Sequence, residues 1–211
     1  MALGVSDHVA DNSRIDILRA AARCFMERGY SSTSIDDVAR RLGATKGRIY
    51  HHFPSKADLF AAVFRHGMDR IHEAIEPYRA MPGRAVDRWR EIAFVHTVEM
   101  TRSRCFARVV WEGVEMHLRG STTPAQREVF DGLVKSRKSY SDVFRNTIAQ
   151  ARDEGDFTFQ DLGIANQVMF LALNSPIFWY SPRQGEAEDN IRDIARQVVQ
   201  FAYRGLGGKE D

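Results

Sequence analysis

The segment from Thr33 to Pro54 constrains this chain more than any other stretch. Ile35, Val38, Ala39 and Leu42 recur at i, i+3, i+4 and i+7, the single apolar stripe of a helix predicted over about 34–42. Thr33 followed by Asp36 reads as its capping box, with Asp in place of the usual Glu. Gly43 then supplies a residue that tolerates a left-handed backbone. A short helix is predicted over about 45–52, with Ile49 inward, Phe53 closing its far end and Pro54 stopping it. An apolar-striped helix, a glycine turn and a short helix polar on its outer side form a helix-turn-helix pattern.

The flanking sequence extends this into a larger helical chain. A first helix is expected from Ser13, as cap, to Arg28, with Ile15, Leu18, Ala22 and Phe25 on one face and Gly29 as terminator. Ser55 is placed to cap a fourth helix reaching about Ile75, with Leu59, Val63, Ile71 and Ile75 along it. Pro77 to Gly83 reads as a break. Further helices are expected near 84–103, 105–119, 124–153, 159–180 and 188–205, with a frayed tail from Gly205. No alternating strand pattern is present. The expected fold is all-α: an N-terminal three-helix helix-turn-helix domain, residues 1–55, and a larger helical domain, residues 56–211.

The formal net charge of +2 says little about partners, but its distribution says more. From Arg40 to Lys56 the chain carries Arg40, Arg41, Lys46, Arg48 and Lys56 and no acid, a local field suited to phosphates. Cys24 and Cys105 are expected as reduced thiols in apolar helices rather than a disulfide. No run approaches the roughly 18 apolar residues of a membrane span. Met1 to Asp11 lacks the basic and apolar stretches of a signal peptide, so a cytoplasmic location and no membrane partner are expected. None of the seven histidines sits in a metal or catalytic motif. His96 and Glu99, three apart on a helix face, are too few to hold a metal, and Gly205, Gly207 and Gly208 follow no strand. No cofactor and no enzymatic activity are therefore expected.

The chemistry of the short helix assigns roles. Lys46 suits guanine acceptors or phosphate, and Thr45 suits a thymine methyl or a phosphate. Gly47 weakens a helix by about 1 kcal/mol, yet it permits close approach of backbone to bases. Tyr50 and His51 can reach phosphates, as can Lys56 in the next helix, while Arg48 faces either solvent or the DNA backbone. These residues, with Ile17 through Phe25, Gly29-Tyr30 and the string Gly43-x-x-x-Gly47-x-Ile49-Tyr50-His51-His52-Phe53-x-x-Lys56, resemble the N-terminal domain of the TetR repressor family. The resemblance implies an all-helical homodimer, with residues 1–55 as the DNA-binding domain and residues 56–211 as the ligand-binding and dimerisation domain, that places two recognition helices in successive major grooves of a near-palindromic operator. It also implies contacts at Thr45, Lys46, Tyr50 and His51, with support from Thr33 and Lys56.

The larger domain is rich in aromatic residues, which serve equally as core or as pocket walls. Polar residues inside apolar runs are better pointers, because their burial needs a partner. Trp89, His96, Met100, Arg104, Trp111, Glu115, Phe144, Phe170 and Asn174 are the candidate ligand-binding residues; Glu115 also fits a surface charge. The stretches Ala151–Phe157 and Asn174–Pro182 are similar to a branch of the family whose effectors are acyl-CoA thioesters, although Pro176 stands where that branch often carries Trp. The effector is then an acyl-CoA thioester or another hydrophobic or aromatic compound, with Arg102, Arg104, Arg108 and Arg183 as candidate partners of its phosphates. Ile191, Ile194, Val198 and Phe201 make a stripe that a dimer interface and a core helix would show alike; the resemblance implies that these residues, with Phe178, lie at the dimer interface. The reading is a one-component transcription regulator, expected to repress, released from DNA by its effector. The alternatives are a DNA-binding regulator with no small-molecule effector and, more remotely, a small helical enzyme.

Overall fold

In the computed structural model, which describes residues 4–118, 124–182 and 188–209, helix α1 runs from Gly4 to Ser32 but breaks its helical course at Gly29, with φ 76° and ψ 164°. Only glycine adopts that backbone without strain, so the expected terminator does interrupt the helix, and the chain then makes one more turn. Ser13 lies inside α1 and does not cap it.

Helix α2 (Ile35–Leu42) begins one residue later than predicted. Ser34 accepts from the Asp37 N–H at 3.2 Å, and Asp37 accepts from the Ser34 N–H at 3.0 Å. The capping box is thus Ser34/Asp37 rather than Thr33/Asp36. Thr33 is unavailable because its hydroxyl turns inward to the carbonyls of Gly29 (2.7 Å) and Cys24 (3.2 Å). Gly43 closes α2 in the left-handed conformation, φ 65° and ψ 33°. Helix α3 (Lys46–His52) follows, capped by Thr45. Helix α4 (Lys56–Arg79) runs unbroken past Pro77, four residues beyond the expected end, and Ser55 caps its start. Then come α5 (Ala85–Arg102), α6 (Arg104–Leu118) and α7 (Pro124–Asp153). The expected helix 159–180 is two, α8 (Leu162–Asn174) and α9 (Pro176–Trp179), because Pro176 has no N–H with which to continue the ladder. Helix α10 (Glu188–Gly205) completes the series, and every regular element among the described residues is helical.

The chain folds as two units, Met1–Met68 with Cys105–Val134, and Asp69–Arg104 with Lys135–Asp211. In the first, Ile17, Leu18, Phe25, Val38, Ile49, Leu59, Phe60 and Phe64 are wholly or almost wholly buried. Helices α4 and α6 meet there through reciprocal glycines: Gly67 faces Val110 and Phe106, and Gly113 faces Phe60 and Phe64. In the second, Trp89 packs edge-on against Phe157 and donates from Nε1 to the Met169 sulfur at 3.1 Å. The tail is anchored rather than frayed as far as Lys209. Leu206 is buried, its carbonyl accepts from the Thr158 N–H at 3.0 Å, and the Tyr203 hydroxyl donates to the Lys209 carbonyl at 2.7 Å.

Candidate functional site

Helix α3 is seated by one side chain. Ile49 is fully buried, worth about 2 kcal/mol of apolar burial, while Thr45, Lys46, Gly47, Arg48, Tyr50 and His51 are all exposed. Tyr50 is 49% exposed, an unusual position for a large aromatic ring. A Cβ at Gly47 would meet only Thr45 Oγ1, at 3.8 Å, so no intramolecular packing demands a glycine there.

The local cations are largely engaged within the unit. Lys46 Nζ lies 2.6 Å from Asp36 Oδ2, both half-exposed. Arg48 donates to Ser13 Oγ at 3.1 Å from Nη2, and Ser13 Oγ also lies 3.5 Å from His52 Nε2. Arg40 pairs with Asp37 and Arg41 with Glu27. The Asp37 carboxyl, held by the Ser34 hydroxyl and N–H and then by Arg28, is lowered to about 2. Lys56 does not extend from the surface as a phosphate clamp. Its Nζ donates to the carbonyls of Tyr30 (2.9 Å), Ser31 (3.4 Å) and Thr33 (2.9 Å) and sits 4.5 Å from the centre of the Tyr30 ring. Thr33 is 2% exposed, its hydroxyl turned inward to the carbonyls of Gly29 and Cys24. The place of Ser13, on α1, beside α3 was missed, because it is set by packing between helices.

A helix-turn-helix with an exposed, acid-free second helix now stands beside the relatives of the chain. Residues 17–63 match the model of the bacterial regulatory proteins, tetR family, and residues 82–206 match a tetracyclin repressor-like C-terminal domain. The HTH-type transcriptional activator FasR of Mycolicibacterium smegmatis is 38% identical over 202 residues, covering 93% of this chain and 84% of that protein. The chain belongs to the TetR family. Regulators of this family bind operator DNA and are not enzymes. The likeness to the HTH-type transcriptional regulator AcrR of Shigella flexneri, 39% over 93 residues, spans only 44% of this chain and 43% of that one. Among solved structures, AibR in complex with isovaleryl coenzyme A and operator DNA has TM-score 0.68 at 24% identity, covering 89% of this chain and 97% of AibR; this likeness shows the fold.

The candidate ligand-binding residues divide into two groups. In the second unit, His96 Nδ1 lies 2.8 Å from the Tyr140 hydroxyl and His96 Nε2 2.9 Å from Asn174 Oδ1. Phe144 and Phe170 pack on the same imidazole. Burial pulls His96 down to about 4, with Asn174 opposing and Arg137 assisting, so the ring is neutral at pH 7. With Nε2 donating to the amide oxygen, Nδ1 accepts from the tyrosine. Met100 is buried. The other candidates are placed elsewhere. Trp89 is committed to the core. Arg104 donates to the Tyr180 carbonyl and to Ser181 Oγ (3.0 Å), and Arg102 is paired with Glu188. Trp111 and Glu115 lie on α6 in the first unit, joined at 3.3 Å, with Glu115 exposed. Arg183 falls outside the described residues. Tyr140 was missed, since an aromatic ring in a helix carries no mark of a polar role; so was Asn166, whose Nδ2 donates to Ser141 Oγ at 3.0 Å.

Helix α10 has two apolar faces. Ala195, Val199 and Ala202 are buried within the unit, whereas Ile194 and Val198 are part-exposed and Phe201 is 73% exposed. With Val168, Leu171, Ala172 and Trp179 of α8 and α9 they line a groove of about 480 Å³. Phe178 is exposed as well, and Ile191 is half-buried. Val168, Leu171 and Trp179 were missed because their helices read as uniformly apolar. Among the described residues no helix is long and apolar enough to cross a membrane, and no group of three metal-ligating side chains converges.

Proposed function

We propose that this chain is a ligand-responsive operator-binding regulator that acts as a homodimer, with α3 as the helix that enters the major groove. The observation that carries the reading is α3 itself, fixed to its unit by Ile49 and presenting Thr45, Lys46, Gly47, Arg48, Tyr50 and His51 with no acid among them. Lys46 reads a base edge or a phosphate after leaving Asp36, and Tyr50 and His51 hold phosphates. A duplex selected from a random library tests this. Tyr50→Ala is expected to weaken binding uniformly across sequences, and Lys46→Ala to weaken it and to alter base preference, by about 1–3 kcal/mol where the contact is to a base. Equal binding by both variants and the parent would falsify the assignment.

The exposed groove on α8 and α10 supports pairing by Phe178, Ile194, Val198 and Phe201, since a face this apolar is rarely left to water. The cluster of His96, Met100, Phe144, Phe170 and Asn174, with Tyr140, is the proposed effector site, and its apolar walls with a neutral polar centre suit the acyl part of a CoA thioester or a hydrophobic or aromatic compound. The fold shared with AibR, solved with isovaleryl coenzyme A, supports the thioester class. A ligand favouring one arrangement of the paired recognition helices shifts the population away from DNA. Thermal-shift titrations with CoA thioesters and aromatic compounds test this; a protein that shifts with none of them regulates without such an effector. Repression is the simplest outcome of operator occupancy, while the likeness to FasR over 93% of the chain favours activation. A reporter driven by the bound promoter, with and without the protein, separates the two.

A further inference from the structure

The break in α1 leaves backbone groups that a continuous helix would have satisfied, and two charged side chains from distant parts of the chain collect them. At Gly29 the backbone leaves the helical region, so the Tyr30 N–H loses its place in the ladder. That N–H donates instead to Glu112 Oε1 on α6, at 2.6 Å and across 82 positions of sequence. The carbonyls that follow, of Tyr30, Ser31 and Thr33, are gathered by Lys56 Nζ from α4. The next residue, Ser34, caps α2. The junction that launches the helix-turn-helix is thus gripped on its donor side by an anion and on its acceptor side by a cation. Space confirms how closely Glu112 sits: a Cβ at Gly29 would lie 3.3 Å from Glu112 Oε1. Gly113, the neighbour of Glu112, lets α6 lie against Phe60 and Phe64 of α4. All of these residues belong to the first unit.

We propose that Glu112 is a positioning residue for operator recognition: by holding the Tyr30 N–H it sets where α2 begins and therefore how α3 meets the groove. This rests on the reading of α3 as the recognition helix. A misplacement of the α2 cap leaves the phosphate-attracting field unchanged but spoils the alignment of side chains with base edges, so the loss falls on the selected sequence and not on DNA in general. Burial pushes the Glu112 carboxyl up, against the pull of the Tyr30 N–H and of Arg108 and with the push of Glu115, so a neutral acceptor of the same shape is tolerated at this place.

The test uses the full chain, a duplex selected in vitro and a scrambled duplex of equal length. Glu112→Ala is expected to weaken binding to the selected duplex about tenfold, the scale of one buried donor left unpaired, and to leave binding to the scrambled duplex within about twofold. Glu112→Gln, whose amide oxygen still accepts, is expected to stay within about threefold of the parent on both. Protein labelled with ¹⁵N-tyrosine gives a reading on the bond itself, with Tyr30→Phe assigning the resonance. The Tyr30 amide proton should move upfield in Glu112→Ala and remain downfield in Glu112→Gln. Parent-like affinity of Glu112→Ala, equal losses on both duplexes, or a Glu112→Gln variant as weak as Glu112→Ala would overturn the proposal. If Tyr50→Ala also binds like the parent, the recognition-helix reading has failed; if Tyr50→Ala loses binding and Glu112→Ala does not, only the role of Glu112 has.

Discussion

His96 is the residue whose surroundings change its chemistry most visibly. Burial lowers its pKa from the ordinary 6.5 to about 4, and both ring nitrogens are occupied by neutral partners. The unfolded chain therefore binds a proton between pH 6.5 and about 4 that the folded chain refuses. Stability contributed by the neutral imidazole is complete above 6.5 and is lost as pH falls through that window, by about 3 kcal/mol at most. Urea midpoints of the parent and of His96→Gln, measured from pH 7 to pH 4, should converge as the pH falls; parallel curves would show that His96 titrates normally. Asp37 works in the opposite part of the scale. Its carboxyl, held near 2, stabilises the start of α2 above the ordinary carboxylate value of 3.8, and that support is lost only as pH drops from 3.8 toward 2. Mild acidification should therefore disturb the second unit before it disturbs the helix-turn-helix.

At the scale of elements, the α4–α6 packing depends on absent side chains. A Cβ at Gly113 would come within 2.8 Å of Phe64 Cδ2, in a site with no room to yield. Gly113→Ala should cost about 1–2 kcal/mol net, overpacking exceeding the gain in helix propensity, whereas Gly132→Ala on α7, where nothing lies within 4 Å, should stabilise by about 0.5–1 kcal/mol. Thermal melts of the two variants should move in opposite directions. The elements themselves were largely legible. The helix–glycine–helix unit follows from Ile35, Val38, Ala39 and Leu42, the left-handed Gly43 and the stop at Pro54, all of them local signals. The errors arose where tertiary structure chose between local equals. Thr33 and Ser34 both make good caps, and only the carbonyls of Cys24 and Gly29 draw Thr33 away. The break before Pro176 was hidden in an apolar run, and a bond such as Glu112 to Tyr30 leaves no trace in sequence spacing. The candidate effector residues fared unevenly for the same reason: polarity within an apolar run singled out Asn174, which meets His96, and equally Glu115, which lies exposed on α6, while an aromatic such as Trp89 reads alike as core or as pocket wall.

For the whole molecule, the outward face of α10 is the feature with the largest consequence for assembly. Phe201 contributes little to its own protomer, being 73% exposed, so Phe201→Glu should leave the fold intact while opposing the burial of that face against a second copy. Sedimentation velocity should show the protomer mass for the variant at concentrations where the parent is dimeric, with operator affinity lost in parallel. A variant that remains dimeric would place the interface elsewhere.

The internal pairing of Arg40, Arg41, Lys46, Arg48 and Lys56 reaches further than local geometry. A cation already bound to its own chain must exchange partners before it can displace a counterion from DNA, and that exchange is the same on every duplex. The logarithm of affinity should therefore fall with the logarithm of salt less steeply than five free cations would dictate.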